Sequence, residues 1–136
     1  MSGEADFFDT TVVLHRLSAN SAKADRAEAV LASGGAVSAQ VSNEFVAVVA
    51  RKLHMASGEI REVLGQVPNV CGGVPLTIET HHRAVRFAER HGLSVHGALI
   101  VSAALLAGCK TLLSEDMQDD RVIERQLTIR NPFAFA

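Results

Sequence analysis

The sequence predicts an α/β fold, a three-layer αβα sandwich with a central, mainly parallel sheet. Short apolar runs of strand length alternate along the chain with longer stretches of helical periodicity, the pattern of parallel strands joined by helices. The helical stretches carry one-sided apolar stripes, except 95–107, which is apolar nearly all round and therefore belongs at the centre. Acidic residues end two of the strand runs, and in open parallel sheets ligands bind outside the carboxyl ends of the strands.

The chain has 136 residues, a length that suits one domain, 1–136, with a single core. Apolar residues make up 48% and charged residues 21%, which excludes a disordered chain. Neither Trp nor Tyr occurs, so the core is built mainly from aliphatic side chains. A net charge of −2 supplies no overall field, so any nucleic acid is met by a local patch. Cys71 and Cys109 lack C-x-x-C spacing and are expected as reduced thiols. The start Met-Ser-Gly-Glu-Ala-Asp has no basic segment of a secretory signal. The longest apolar run, 98–107, is too short to span a bilayer. The expectation is a cytoplasmic protein without membrane association.

The first strand is expected over Asp6–Asp9, followed by a helix from Thr11 to Leu17 that Ala19-Asn20-Ser21 breaks. Ser21 can cap a second helix, 22–32, with Ala24, Ala27, Val30 and Leu31 facing inward, and Gly34-Gly35 ends it. The second strand is 36–40. A helix over 41–54 follows, with Val41, Phe45, Val48, Val49 and Leu53 as its stripe, Ser42 or Asn43 as its cap and Glu44 in its first turn. A further helix covers 57–67 with Ser57 as cap and Ile60, Val63 and Leu64 inward. A loop is expected over 68–73 and a third strand at Val74-Pro75-Leu76, placed at an edge by its proline. Thr77 or Thr80 caps a helix to Arg90, closed by His91-Gly92, and Ser94 starts the central helix, which Gly108 stops. The fourth strand, 110–114, delivers Ser114-Glu115-Asp116 to its carboxyl end, and 122–129 holds a turn and a last short strand.

Three carboxylates distant in sequence thus fall at equivalent points of the fold. Asp9 ends the first strand, Glu44 opens the helix after the second, and Asp116 follows the fourth. Converging carboxylates repel one another unless a cation neutralises them. Mg²⁺ or Mn²⁺, which prefer oxygen ligands, are the expected partners, and such a metal can activate water against a phosphate. The competing explanation is that acids favour strand ends and helix starts for reasons of exposure and helix dipole alone.

In order and spacing, Phe7-Phe8-Asp9-Thr10-Thr11-Val12, Val41-Ser42-Asn43-Glu44-Phe45, Pro75-Leu76-Thr77, His91-Gly92-Leu93-Ser94, the run 98–105, Leu113-Ser114-Glu115-Asp116-Met117 and Leu127–Phe133 resemble the PIN domain family, in particular the VapC-type toxins of bacterial toxin–antitoxin pairs. The resemblance spans about 7–133. It implies a PIN-like sandwich and Mg²⁺-dependent endonucleolytic hydrolysis of RNA phosphodiesters by a cluster of acids. It also implies a cognate antitoxin as partner and a homodimer. Asp9, Glu44 and Asp116 match the first, second and fourth family acids, as metal ligands and catalytic residues. Thr11 and Ser114 match supporting positions. Family members often carry Asn where Thr11 stands.

The departure is Gly97. The family pattern has an Asp at the corresponding place before Ala-Leu-Ile, and here the frame reads Ser94-Val95-His96-Gly97-Ala98-Leu99-Ile100. With one acid fewer, weak metal binding and a large loss of hydrolytic rate are expected. A neutral imidazole is a poor Mg²⁺ ligand, and His96 is expected to point about a quarter-turn away along the helix. Asp119 and Asp120 are the remaining candidates to lean in through a water. The alternative function is a catalytically silent PIN domain that binds an antitoxin or RNA. A phospho-acceptor receiver domain shares the alternating pattern but needs paired acids at the first strand and a late strand-end lysine, which are missing. Arg83, Arg86 and Arg90, with His81, His82 and His91, form either a basic face for RNA phosphates or an ordinary solvated helix face.

Overall fold

The computed structural model describes residues 6–65, 70–74 and 77–134. Six strands form one sheet in the order β3-β2-β1-β4-β6-β5. They are β1 (Asp6–Phe8), β2 (Gly35–Ser38), β3 (Val70–Val74), β4 (Thr111–Leu113), β5 (Val122–Ile123) and β6 (Leu127–Arg130). All neighbours are parallel except β5 against β6. The helices are α1 (Thr10–His15), α2 (Ser21–Ala32), α3 (Ala39–Lys52), α4 (Ser57–Gly65), α5 (Ile78–His91) and α6 (Val95–Leu106). The α/β sandwich read from the alternating pattern is the fold observed.

β1 lies between β2 and β4, in register Asp6–Gly35 and Asp6–Thr111. This central place explains its short, wholly apolar end: Phe7 and Phe8 are fully buried. Gly35 is required beside it, because a Cβ there would lie 2.4 Å from the Asp6 carbonyl oxygen and 2.6 Å from the Phe8 ring. α6 packs on the sheet, with Ala98, Ile100, Val101 and Ala104 fully buried, as its apolar circumference requires. Ser94 caps it by accepting from the Gly97 N–H at 3.0 Å.

Several boundaries differ from expectation. Asn20, not Ser21, caps α2, accepting from Lys23 N at 3.2 Å; its β-region backbone leaves Ser21 as the first helical residue. Ser38, not Ser42 or Asn43, caps α3 by accepting from Val41 N at 3.2 Å. Glu44 is consequently the sixth residue of the helix, in its second turn, where the dipole no longer favours it. Leu53, assigned to the α3 stripe, is 51% exposed because the helix has already ended. β3 begins at Val70, so Cys71-Gly72-Gly73 are strand and not loop; an edge strand bonded on one side accommodates glycines that a central strand would not. Pro75 and Leu76, and the expected continuation of α4 over 66–67, fall outside the described residues, as do the side chains of Val63 and Leu64. The last segment is a hairpin of two strands, β5 and β6, in place of a turn and one strand.

Candidate functional site

β1 stops at Phe8 and the chain enters α1 at once. Asp9 stands at the joint in extended conformation as the N-cap. Its Oδ1 accepts from the Thr10 N–H at 2.7 Å, and its Oδ2 accepts from the Ser114 hydroxyl at 2.7 Å. The Thr11 hydroxyl reaches Oδ2 at 3.5 Å, the limit of a useful bond. Asp9 is only 4% exposed. Burial pushes its carboxyl above the usual range; the Ser114 and Thr10 bonds pull it back, the charge of Asp116 raises it again, and His96 lowers it slightly.

β4 brings Ser114 alongside. Its backbone N–H donates to the Arg130 carbonyl at 2.9 Å, and the side chain is fully buried. While its hydroxyl donates to Asp9, the same oxygen accepts from the Asp116 N–H at 3.2 Å, so one serine joins the two acids. The Thr11 hydroxyl accepts from Glu115 N at 3.2 Å, tying α1 to the turn after β4. Asp116 is exposed. Glu115 turns away from it and pairs with His15 at 2.6 Å and Lys23 at 2.7 Å.

Glu44 enters from α3. Its Oε1 accepts from the Thr10 hydroxyl at 2.8 Å, placing it one residue from Asp9. Its Oε2 lies 3.2 Å from His96 Nε2, and His96 Nδ1 lies 2.8 Å from Gln40 Nε2. The expectation that His96 turns away from the acids is therefore corrected: it lies against Glu44. The signal for this was present, since Gln40 and Glu44 are four apart on one face of a helix that starts at Ala39. Its reading depended on the true helix start.

Gly97 is buried on the first turn of α6. A Cβ built there would meet the Met117 methyl at 2.9 Å and Ser94 Oγ at 3.3 Å. Position 97 thus faces the segment that carries Asp116, and a thioether fills the space. Asp119 and Asp120 do not lean toward the acids. They pair with Arg130 at 3.6 and 2.7 Å, and Asp119 also accepts from Asn131 N at 2.8 Å.

The donors match a hard divalent cation in kind, being carboxylate oxygens. They do not match it in arrangement. Among the described residues no group of three or more His, Cys, Asp or Glu side chains is disposed to hold a metal ion. Glu44 faces His96, and position 97 offers no ligand. The constellation as folded is an acid patch with an imidazole lying against one of its carboxylates. Among the described residues no helix is long and apolar enough to cross a membrane.

The PIN domain family matches residues 7–123. The chain belongs to that family. Solved structures agree in fold. A toxin–antitoxin complex from Klebsiella pneumoniae superposes with a TM-score of 0.70 at 19% identity, covering 94% of this chain and 98% of its own. VapC20 from Mycobacterium tuberculosis, described as a sarcin-ricin loop cleaving toxin, gives 0.64 at 17% identity over 79% and 87% of the two chains. VapBC2 from Rickettsia felis, bound to a DNA fragment from its promoter, gives 0.66 at 14% identity over 93% and 98%. No curated protein matches.

Proposed function

We propose that this chain is a VapC-like toxin of a toxin–antitoxin pair, a single PIN domain descended from Mg²⁺- or Mn²⁺-dependent endoribonucleases and impaired at Gly97. The observation that carries the reading is the gathering of Asp9, Glu44, position 97 and Asp116 at the carboxyl end of β1 and β4, linked through Thr10 and Ser114. In this reading Asp9, Glu44 and Asp116 are what remains of the family's metal-binding and catalytic acids, with Thr11 and Ser114 in support. RNA is the substrate, and a cognate antitoxin and a second copy of the chain are the partners.

The test compares RNA cleavage by this chain and by Gly97→Asp with Mg²⁺ or Mn²⁺ present. The restored variant is expected to cut at least about tenfold faster, because a further carboxylate strengthens the hold on the metal ion. Failure of both to cut RNA and to bind Mn²⁺ sinks the nuclease reading. A second reading, a silent PIN domain that binds an antitoxin or RNA without cutting, is favoured by the His96–Glu44 pair, which answers one acid without a metal. It predicts that His96→Ala leaves antitoxin or RNA binding intact while cleavage stays absent.

A further inference from the structure

The opposite end of α6 carries a feature that the acid patch does not use. His96 lies in the first turn of α6 and Leu105 in its last. Nine residues of helix separate them by about 14 Å along the axis. Around Leu105 two depressions of about 320 and 340 Å³ adjoin, with Leu105 and Gln126 lining both, and together they make one basic groove in the surface. α5 lines it with Arg83, Arg86 and Arg90, the start of β4 with Lys110, and the β5–β6 turn with Arg125. Three elements distant in sequence therefore contribute five cations.

The acid inside the groove is already answered. Glu124 accepts from Arg90 at 3.0 and 3.1 Å and lies 2.8 Å from His91 Nε2. Arg83 makes only a long 3.9 Å contact with Glu79. The side chains of Arg86, Lys110 and Arg125 have no acidic partner among the described residues. Like charges collected in one groove repel one another, and a ligand with repeated negative charge relieves them together.

The turn that presents Arg125 supplies a second, independent observation. Glu124 and Arg125 have φ values of 53° and 58°, both left-handed, and the Gln126 N–H donates to the Ile123 carbonyl at 3.0 Å. A tight hairpin with two positive φ angles calls for Asn-Gly or a similar pair. Glu and Arg occupy it against that preference, and the turn so built holds Glu124 against Arg90 and His91 and sets Arg125 in the groove wall.

We infer that this groove binds the phosphodiester backbone of RNA, away from the acid patch. The inference rests on the reading of the chain as an RNA-directed PIN domain and adds where the RNA strand is held. Arginine predominates among the five cations, and its forked guanidinium fits the paired oxygens of a phosphate.

The test measures fluorescence anisotropy of a labelled single-stranded RNA in EDTA, with salt titration, against the intact chain, Arg86→Glu with Arg125→Glu, and Arg125→Gly. The charge reversal is expected to weaken binding at least tenfold and to reduce the salt slope by about 1.4, the value for two lost phosphate contacts on a single strand. Arg125→Gly is expected to resist urea better than the parent, since glycine accepts the left-handed backbone, and yet to bind RNA less tightly. A residue with a structural role alone would not separate these two readouts. If the variants bind RNA as the parent does, the groove inference fails while the RNA reading stands. If the parent binds no RNA but captures polyglutamate through these arginines, the occupant is an acidic protein segment and the inference is overturned. Cleavage by Gly97→Asp is measured separately, so either idea can fail without the other.

Discussion

Ser114 donates to Asp9 in a pocket from which solvent is excluded, so removing its hydroxyl leaves a buried carboxylate short of a partner. Ser114→Ala should lower the unfolding free energy by about 2 kcal/mol, the range for a bond to a charged group, measured by urea titration with circular dichroism. Asp9 itself carries a pH signature. Unfolded, it titrates near 3.8, and burial holds the folded value above that. Between the two values the folded state binds more protons, so this group's contribution to stability declines as pH rises through the window. Asp9→Asn should abolish that slope and make the fold more stable at neutral pH; urea midpoints across the acid range check it, and an unchanged slope would sink the claim. At this scale the sequence placed Asp9 at a strand end from its pattern, while Thr11 and Ser114 stood out only through the family resemblance; their hydroxyls lie beside Asp9 at 3.5 and 2.7 Å. It said less about His96, because its partner Gln40 reads as the end of a strand, whereas α3 starts at Ala39 and sets Gln40 and Glu44 on one helical face beside it.

Among the elements, two glycines make opposite predictions. Gly35 touches the backbone of β1, which cannot yield, so Gly35→Ala should cost about 3 kcal/mol, the upper part of the range for overpacking. Gly97 faces the end of the Met117 side chain, which can swing aside, and less closely the Ser94 hydroxyl at 3.3 Å, and it sits within a helix where glycine is unfavourable. Gly97→Ala should therefore stabilise the chain by about 0.5 kcal/mol, and thermal unfolding of the two variants side by side decides whether the contrast holds. The elements that sequence reading placed best were α5 and α6, where Thr77 and Ser94 cap and Gly92 takes the left-handed position after the helix. The hairpin of β5 and β6 escaped it for a physical reason. Its turn residues are Glu124 and Arg125, and left-handed backbone costs such side chains about 1–2 kcal/mol each, so no turn signal stood in the sequence. β3 was placed too late because two glycines and a proline read more naturally as a loop.

For the whole molecule, the parallel order was legible from alternation alone, since strands and helices in turn permit few other arrangements. The long-range ties were not. Glu115 joins α1 through His15 and α2 through Lys23 to the end of β4. The Lys23 bond first, and His15 after it, hold Glu115 below its ordinary 4.5. The folded state then binds fewer protons than the unfolded chain in that window, so this stabilisation is present above about 4.5 and lost as pH falls through the folded value. Glu115→Gln should cost about 0.5–1 kcal/mol at neutral pH, as partly exposed pairs do, and almost nothing in strong acid; equal losses at both would show the network to be packing and not charge. These ties also bear on how such a domain ages in a lineage. Asp9 caps a helix and receives Ser114, and Glu44 receives Thr10, so each acid is anchored by the architecture as well as by any chemistry. No bond in the fold requires a side chain at 97. If the proposed cleavage ceased to be selected, drift would meet least resistance there, and the domain would keep its shape.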